Sequence, residues 1–200
     1  SCIAQSIQKN TNKILKANAI DIEAAKEKGL PESMIDRLML DKGRIDSMAS
    51  SMNIITQIED PINKITEEWS RPNGMIIQRV SVPLGVIGII YESRPNVTAD
   101  AAALCIKSGN SVILRGGSES FESNKAIYLC LREGLADAGL DPSSIQLVPI
   151  KDRSAVGYML SSMSNWIDVI VPRGGKSLVR RVQDEARIPV IGHLEGICHV

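Results

Sequence analysis

Apolar residues recur at helical spacing along the first part of the chain. They lie three, four or seven positions apart with lysines and asparagines between them, and this pattern predicts amphipathic helix. The recurring positions are Ile3, Ile7, Ile14, Ala17, Ile20 and Ala24. We expect Gly29 to end this stretch, because glycine is strongly favoured just past a helix C-terminus.

A second helix is predicted to begin at Pro31, since the first helical turn does not need the N–H group that proline lacks. A polar helix rich in methionine follows through residues 47–58. Methionines can form an adaptable binding face, but they more commonly fill gaps between packed helices, and we expect packing here. The residues expected to face a core are Met34, Ile35, Leu38, Met39, Met48 and Met52.

The helical pattern breaks across residues 61–73. Residues 69–74 predict a turn, and residues 75–82 alternate between apolar and polar side chains as a strand does. We therefore place a domain boundary here, with an N-terminal helical segment in residues 1–73 and an α/β domain in residues 74–200.

From Pro83 onward, short apolar runs alternate with helical patterns. Helices of this length between strands imply right-handed crossovers, and so predict an α/β fold with a doubly wound, mostly parallel sheet. Asn96 is expected to cap the first of these helices and Gly109 to end it. The predicted strands are 86–91, 111–115, 145–149 and 167–171, with another beginning at 190. The predicted helices are 96–107, 119–138, 154–163 and 176–186.

The loops that follow these strands are polar, and most contain glycine. Ligands bind beyond the carboxyl ends of strands in such sheets, so we expect the functional site there. The segments are 92–96, 116–119, 172–176 and 192–196.

Two of these loops combine arginine with paired glycines ahead of a helix. An arginine, close backbone approach and free helical N–H groups suit a phosphate. Either loop alone could be only a tight turn with solvated charges, but two in one sheet favour a dinucleotide or a phosphorylated substrate. The residues are Arg115, Gly116, Gly117 and Ser118 in one loop, and Pro172, Arg173, Gly174 and Gly175 in the other.

Neither G-x-G-x-x-G nor G-x-x-x-x-G-K-[ST] occurs, which disfavours a classical Rossmann oxidoreductase and a P-loop NTPase. No acidic residue is found where one would select a ribose 2′-hydroxyl, whereas Arg115 suits a 2′-phosphate. The sequence therefore favours NADP(H).

Composition excludes several other classes. The 200 residues carry 23 basic and 23 acidic side chains, with only 3% aromatics, so nucleic-acid binding is disfavoured. No apolar run is long enough to span a bilayer, and the first residues are too polar for a signal peptide. We expect a cytoplasmic protein that does not bind membranes.

The four cysteines are widely separated, and we expect reduced thiols rather than disulfides or zinc ligands. Cys105 and Cys130 fall on apolar helix stripes and are expected in the core. Cys198 beside His199 could suggest Cys-His catalysis or a metal site. Neighbours in a strand point to opposite faces, however, and further ligands are not evident, so no metal site is predicted.

Several segments strongly resemble the γ-glutamyl phosphate reductase family of the aldehyde dehydrogenase superfamily. The segments that carry the resemblance are 82–98, 100–110, 114–119, 171–176 and 189–199. The resemblance implies NADPH-dependent reduction of L-glutamyl 5-phosphate to L-glutamate 5-semialdehyde with release of phosphate, the second step of proline biosynthesis. It also implies an aldehyde-dehydrogenase-like NAD(P)-binding domain with a protruding oligomerisation hairpin that contains residues 75–82.

The resemblance implies a homo-oligomer and functional coupling to glutamate 5-kinase. It places Ser93 and Asn96 as oxyanion or substrate contacts. It adds Glu195 and Gly196 to the cofactor-binding residues predicted from the two arginine-glycine loops. The family's nucleophilic cysteine follows the segment that ends this chain, so we expect the chain to be the cofactor-binding part, inactive alone, without the catalytic domain. Another NADP-dependent aldehyde dehydrogenase or acyl-phosphate reductase, or a stand-alone nucleotide-binding module, remain the alternatives.

Overall fold

The fold is an α/β arrangement, and the computed structural model describes residues 1–193 of the chain. Its helices are α1 (Cys2–Lys9), α2 (Thr11–Glu27), α3 (Glu32–Leu38), α4 (Lys42–Gln57), α5 (Asn96–Lys107), α6 (Phe121–Asp137), α7 (Ser154–Ser162) and α8 (Lys176–Glu185). Its strands are β1 (Ile65–Ser70), β2 (Ile76–Val80), β3 (Val86–Tyr91), β4 (Ser111–Arg115), β5 (Ile145–Leu147) and β6 (Val169–Arg173).

Strands β3 to β6 form a parallel sheet in the order β5-β4-β3-β6. The chain moves outward from β3 through β4 to β5 and then returns to the other side of β3 with β6. This reversal places a topological switch point between β3 and β6, where ligands of open α/β sheets bind. The predicted fold class is confirmed.

Helices cover both faces of this sheet, which is why its strands are continuous apolar runs. Ile87 and Ile89 of β3 face a core shared with α5, α6 and the N-terminal helices. Ile90 faces the opposite core, which is built with α7 and α8. Gly88 leaves room for the side chains of that second core, since a Cβ there would lie 2.8 Å from Cδ1 of Ile170 on the neighbouring strand β6.

The N-terminal helices pack on α6 and α5, so they share the first core. Gly134 of α6 is where α1 crosses, because a Cβ at this position would lie 2.5 Å from Ile3 Cα. Asn10 interrupts the predicted first helix and separates α1 from α2. Its side chain donates to the Ser6 carbonyl and to Glu133 Oε2, at 2.9 Å in both cases.

Strands β1 and β2 form an antiparallel hairpin whose side chains are mostly exposed. Residues 75–82 contribute β2, but the sequence pattern did not predict β1, because none of its six residues is buried. The boundary predicted between residues 73 and 74 falls in the turn of this hairpin, where Gly74 has a φ of +82°.

Three local predictions are wrong. Leu38, Met48 and Met52 are buried as expected. Met34 and Met39 are exposed, because α3 is only two turns long, has Leu38 as its buried residue and ends before Met39. Asn96 does not cap α5. Pro95 occupies that position, and the Asn96 side chain donates to Asp100 within the helix.

The last strand of the sheet also differs from its predicted bounds. Strand β6 begins at Val169, two residues after the predicted start, and Ile167 packs in the second core ahead of it. Beyond α8, Val190 pairs with Ile170 in a single parallel bridge. None of the helices in residues 1–193 combines the length and apolar character that crossing a bilayer requires.

Candidate functional site

Two adjoining cavities, of about 420 and 290 Å³, open at the carboxyl ends of β3, β4 and β6. We call them together the cleft. They share Glu92, Ser93, Glu119 and Arg153, so they are continuous with each other. The larger one lies at the switch point between β3 and β6, where the sheet topology predicts a ligand.

The loops after β3 and β4 are joined by a hydrogen bond. The Ser93 hydroxyl donates to Glu119 Oε2 at 2.6 Å, and the Ser118 hydroxyl donates to Glu119 Oε1 at 2.8 Å. Burial raises the pKa of Glu119, but these hydrogen bonds and the nearby Arg153 outweigh it, so the pKa lies below its usual value. Glu119 is therefore an ionised acceptor that holds two walls of the cleft together at neutral pH.

Glycines let the backbone form a tight floor in the cleft. A Cβ at Gly117 would clash with the Ser93 hydroxyl and lie 3.0 Å from the Ser93 nitrogen. A Cβ at Gly174 would lie 2.7 Å from Glu92 Cδ. Gly116 is buried beneath, where a Cβ would clash with the Asn124 side chain. Both loops thus pack closely on the loop after β3. The close approach of a ligand to the backbone of the paired glycines stays a prediction.

A buried polar network supports this floor. The Tyr91 hydroxyl bonds the Thr98 hydroxyl at 2.7 Å, and Thr98 in turn bonds Asn124 Oδ1 at 3.0 Å. Asn124 also donates to the Ser120 hydroxyl at 3.0 Å. Satisfied networks of this kind fix one arrangement of the groups above them, here the loop after β4.

Arg115 is buried at the end of β4 rather than extended into the cleft. Its guanidinium donates to the carbonyls of Gly116, Lys151 and Asp152, the last two at 3.1 Å. Its Nε is buried without a hydrogen-bond partner among residues 1–193. Burial lowers the pKa of Arg115 from its usual value. The side chain ties the loop after β5 to the cleft and leaves one donor unused.

Four other arginines line the larger cavity. Within residues 1–193, none of their side chains makes a hydrogen bond or an ion pair, although arginines elsewhere on the surface do pair with carboxylates. The cavity has only Glu92 and Glu119 as carboxylates, so positive charge is in excess. The four are Arg37, Arg94, Arg153 and Arg173. This charge distribution suits a ligand with several phosphate or carboxylate groups.

The structure brings most of the predicted site residues together. The cleft is lined by Ser93, Arg115, Gly117, Ser118, Arg173, Gly174 and Gly175. Gly116 lies under the floor and Pro172 is buried in β6. Asn96 lines a separate, neighbouring cavity. Glu195 and Gly196, like Cys198 and His199, lie outside the described residues.

The sequence analysis missed Glu119, Arg153, Arg94 and Arg37 as individual site residues. Arg153 lies in the loop after β5. The rule that loops after strands carry function applies to this loop too, but the loop contains no glycine and was not among the segments named from the sequence. Glu119 and Arg94 were inside named loops but were not singled out. Arg37 comes from α3, and only the tertiary fold brings it to the cleft.

The described thiols do not lie in the cleft. Cys105 and Cys130 are buried in helices, and burial raises the pKa of each to about 11. Both are therefore protonated at neutral pH, which is the opposite of what a nucleophile needs. No group of His, Cys, Asp and Glu side chains that could hold a metal ion occurs in the part of the chain that the structure describes.

Comparisons with known proteins identify close relatives. No protein-family model matches the chain. The γ-glutamyl phosphate reductase of Allorhizobium ampelinum is 57% identical over 198 residues, which are 99% of this chain and 46% of that protein. The crystal structure of γ-glutamyl phosphate reductase from Thermotoga maritima matches with a TM-score of 0.91 at 42% identity, over 94% of this chain and 45% of that one.

A more distant likeness shows the fold alone. Propionaldehyde dehydrogenase from Rhodopseudomonas palustris matches with a TM-score of 0.63 at 19% identity, over 95% of this chain and 40% of that one. The chain spans about half the length of the curated relatives it matches. Over the part that it spans, the chain is similar in sequence and in fold to γ-glutamyl phosphate reductases.

Proposed function

We propose that the chain forms the NADP(H)-binding part of an enzyme that reduces L-glutamyl 5-phosphate to L-glutamate 5-semialdehyde and releases phosphate. The observation that carries the proposal is the cationic cleft with its glycine floor, at the switch point of a chain 57% identical to a γ-glutamyl phosphate reductase. In the proposed division, residues 74–200 bind the cofactor and residues 1–73 pack against them.

The residues present in the cleft fit a dinucleotide. Gly117 and Gly174 let the loops after β4 and β6 pack closely on Ser93 and Glu92, and a side chain at either position would displace these walls of the cleft. The Arg115 guanidinium adds positive charge at the end of β4, where it borders the smaller cavity. Together with Ser118, Arg173 and Gly175, these residues would hold the cofactor, which supplies a hydride when bound.

A 2′-phosphate is proposed to bind beside Arg153. This side chain is exposed in both cavities of the cleft, whereas most donors of Arg115 are already occupied by carbonyls. Glu119 lies nearby, but both of its oxygens accept from serine hydroxyls. One neighbour of the same fold, an engineered glycolyl-CoA reductase, has bound NADP+ in its crystal structure.

The residues of this chain bind and orient in the proposed reaction. Arg37, Arg94 and Arg173 hold the negative charge of the substrate in the larger cavity, and Ser93 lies among them as an oxyanion or substrate contact. The nucleophilic cysteine is proposed to lie outside this chain, since Cys105 and Cys130 are buried and protonated. A cytoplasmic location, a homo-oligomer and coupling to glutamate 5-kinase belong to the same proposal.

The test is to assay the protein, in its natural length, in the oxidative direction. L-glutamate 5-semialdehyde, NADP+ and inorganic phosphate should give the acyl phosphate and NADPH, followed by absorbance of the reduced cofactor. The intact mass of the isolated protein, compared with 21.7 kDa for this chain, shows what length was assayed. Turnover of simple aldehydes alone would indicate a different dehydrogenase, and NADPH binding without turnover would indicate a nucleotide-binding module.

A further inference from the structure

A third cavity, of about 430 Å³, opens beside the cleft between α3, α4 and the first turn of α5. We call it the α3–α5 cavity. It adjoins the cleft, because Arg37 and Arg94 line both. It presents side chains of both charges, among them Arg37, Arg94 and Asp100. A ligand that carries both an ammonium and a carboxylate group would be matched here.

The α3 side of this cavity is held in place by structural contacts. Arg44 donates to the carboxylate of Asp36 at 2.7 Å and to the carbonyl of Met39 at 2.8 Å. The Asn18 side chain bonds the Leu38 carbonyl and the Leu40 nitrogen, both at 2.8 Å. Asp36 and Arg44 therefore neutralise each other and fix the turn after α3. Arg37, one residue further along the helix, remains available.

On the α5 side, Asp100 is a half-buried carboxylate without a cationic partner in the described residues. Its Oδ2 accepts a hydrogen bond from Asn96 Nδ2 at 3.1 Å. Burial raises the pKa of Asp100, and the hydrogen bond from Asn96 opposes that rise only in part. A ligand ammonium group would compensate this buried charge, since buried carboxylates are stabilised by pairing.

We propose that the α3–α5 cavity binds the α-amino acid end of the substrate, with Asp100 accepting from the α-ammonium group and with Arg37 and Arg94 binding the α-carboxylate. This inference rests on the proposed function. Asn96 is a positioning residue that orients the Asp100 carboxylate. Because Arg37 and Arg94 border both cavities, the acyl phosphate end extends into the cleft, where Arg173 adds positive charge.

The experiment compares two aldehydes in the oxidative assay of the natural-length enzyme. They are L-glutamate 5-semialdehyde and 5-oxopentanoate, which lacks the amino group. In both cases a hydride passes to NADP+ and the acyl group passes to inorganic phosphate. The Asp100→Asn variant should lose about tenfold or more in kcat/KM for the amino aldehyde and little for the analogue. In the Arg37→Gln variant, kcat/KM should fall by similar factors for the two aldehydes, since both carry a carboxylate.

Three controls distinguish a loss of substrate binding in the α3–α5 cavity from a general loss of structure or of cofactor binding. Asp46→Asn makes the same chemical change at an exposed position of α4. It should leave kcat/KM unchanged for both aldehydes. The KM for NADP+ should stay at its wild-type value in all three variants. Asp100→Glu keeps the carboxylate, so it should retain a preference for the amino aldehyde.

Some outcomes would overturn the inference. The inference would be contradicted if Asp100→Asn lowered kcat/KM for both aldehydes by the same factor. It would also be contradicted if Arg37→Gln lowered kcat/KM for neither aldehyde. If Asp100→Asn does not fold, Asn96→Ala replaces it, because this exposed residue donates the hydrogen bond that orients the Asp100 carboxylate. Asn96→Ala should then lower kcat/KM more for the amino aldehyde than for 5-oxopentanoate, and equal factors for the two aldehydes would overturn the inference. A wild-type enzyme that oxidises neither aldehyde would instead overturn the proposed function.

Discussion

The hydroxyl of Ser93 donates a 2.6 Å hydrogen bond to Oε2 of Glu119 and so joins the loop after β3 to the loop after β4. The two loops belong to neighbouring strands of the parallel sheet, and both line the cleft. Glu119→Gln should weaken this junction, because an amide cannot accept two charge-assisted hydrogen bonds. We expect lower NADPH affinity by roughly tenfold, measured by fluorescence titration. Unchanged affinity would contradict a role for this contact in shaping the cleft.

Gly117→Ala should reduce the affinity for NADPH at least as strongly as Glu119→Gln does. Its new Cβ would clash with the Ser93 hydroxyl and displace the loop after β4. Gly157→Ala on α7 is a matched control, because the nearest atom to its Cβ is Arg181 Nη2 at 3.7 Å, an ordinary contact. That control should stabilise α7 by about 1 kcal/mol and leave NADPH affinity unchanged. Equal affinities for the two variants would show that the glycine floor does not contact the cofactor.

Arg153→Gln should lower the affinity for NADPH by a factor roughly tenfold larger than its effect on the affinity for NADH. The side chain is exposed in the cleft and makes no ion pair within residues 1–193, so its charge is available to a 2′-phosphate. Arg180→Gln, at an exposed position of α8 away from the cleft lining, is the control and should change neither affinity. If Arg153→Gln lowers the affinities for NADPH and NADH by the same factor, the assignment of the 2′-phosphate to this residue is wrong.

Arg115→Ala should lower the thermal stability of the protein as well as its cofactor affinity. The substitution removes the hydrogen bonds from the guanidinium to the carbonyls of Lys151 and Asp152, and a hydrogen bond from a charged group contributes about 1.5–3 kcal/mol. The melting temperature, followed by circular dichroism, should fall clearly below that of Arg153→Gln. Similar melting temperatures for these two variants would show that Arg115 does not support the loop after β5.

Glu133 should make the docking of α1 depend on pH. Hydrogen bonds from Lys9, Ser6 and Asn10 lower its pKa to about 2, from an ordinary value of 4.5. A carboxylate whose pKa is lowered by folding stabilises the fold fully above its unfolded pKa, and that stability is lost as the pH falls through the folded pKa. The difference in melting temperature between wild type and Glu133→Gln should therefore narrow as the pH falls from 4.5 towards 2.

The control for this prediction is Glu27→Gln, an exposed carboxylate at the end of α2 without a hydrogen bond or ion pair in residues 1–193. Its melting temperature should follow that of wild type at every pH. A difference between wild type and Glu133→Gln that stays constant down to pH 2 would contradict the link between this carboxylate and α1.

The sequence predicted the parallel sheet well because its strands are buried on both faces. Strands β3 and β4 have the predicted bounds, since each is a short apolar run next to a glycine or a polar loop. Strand β1 was missed for the opposite reason, as no residue of it is buried and its pattern carries no periodic signal. Exposure of Met34 was likewise not predictable, because it depends on where α3 packs.

The site was predictable as a set of loops but not as a set of contacts. The strand-end rule located Ser93, Gly117 and Gly174 in one cleft. It could not show that Arg115 turns towards backbone carbonyls, which depends on the path of the loop after β5. Nor could it bring Arg37 to the cleft, since that contact joins residues far apart in the chain.

The central claim is that the cleft binds a nicotinamide dinucleotide, and hydrogen–deuterium exchange of the natural-length protein with and without NADPH tests it most directly. The account predicts slower exchange on NADPH binding in residues 92–94, 116–119 and 173–176, with no change in the hairpin of residues 65–80. Protection confined to other segments, or no binding of NADPH at all, would contradict it.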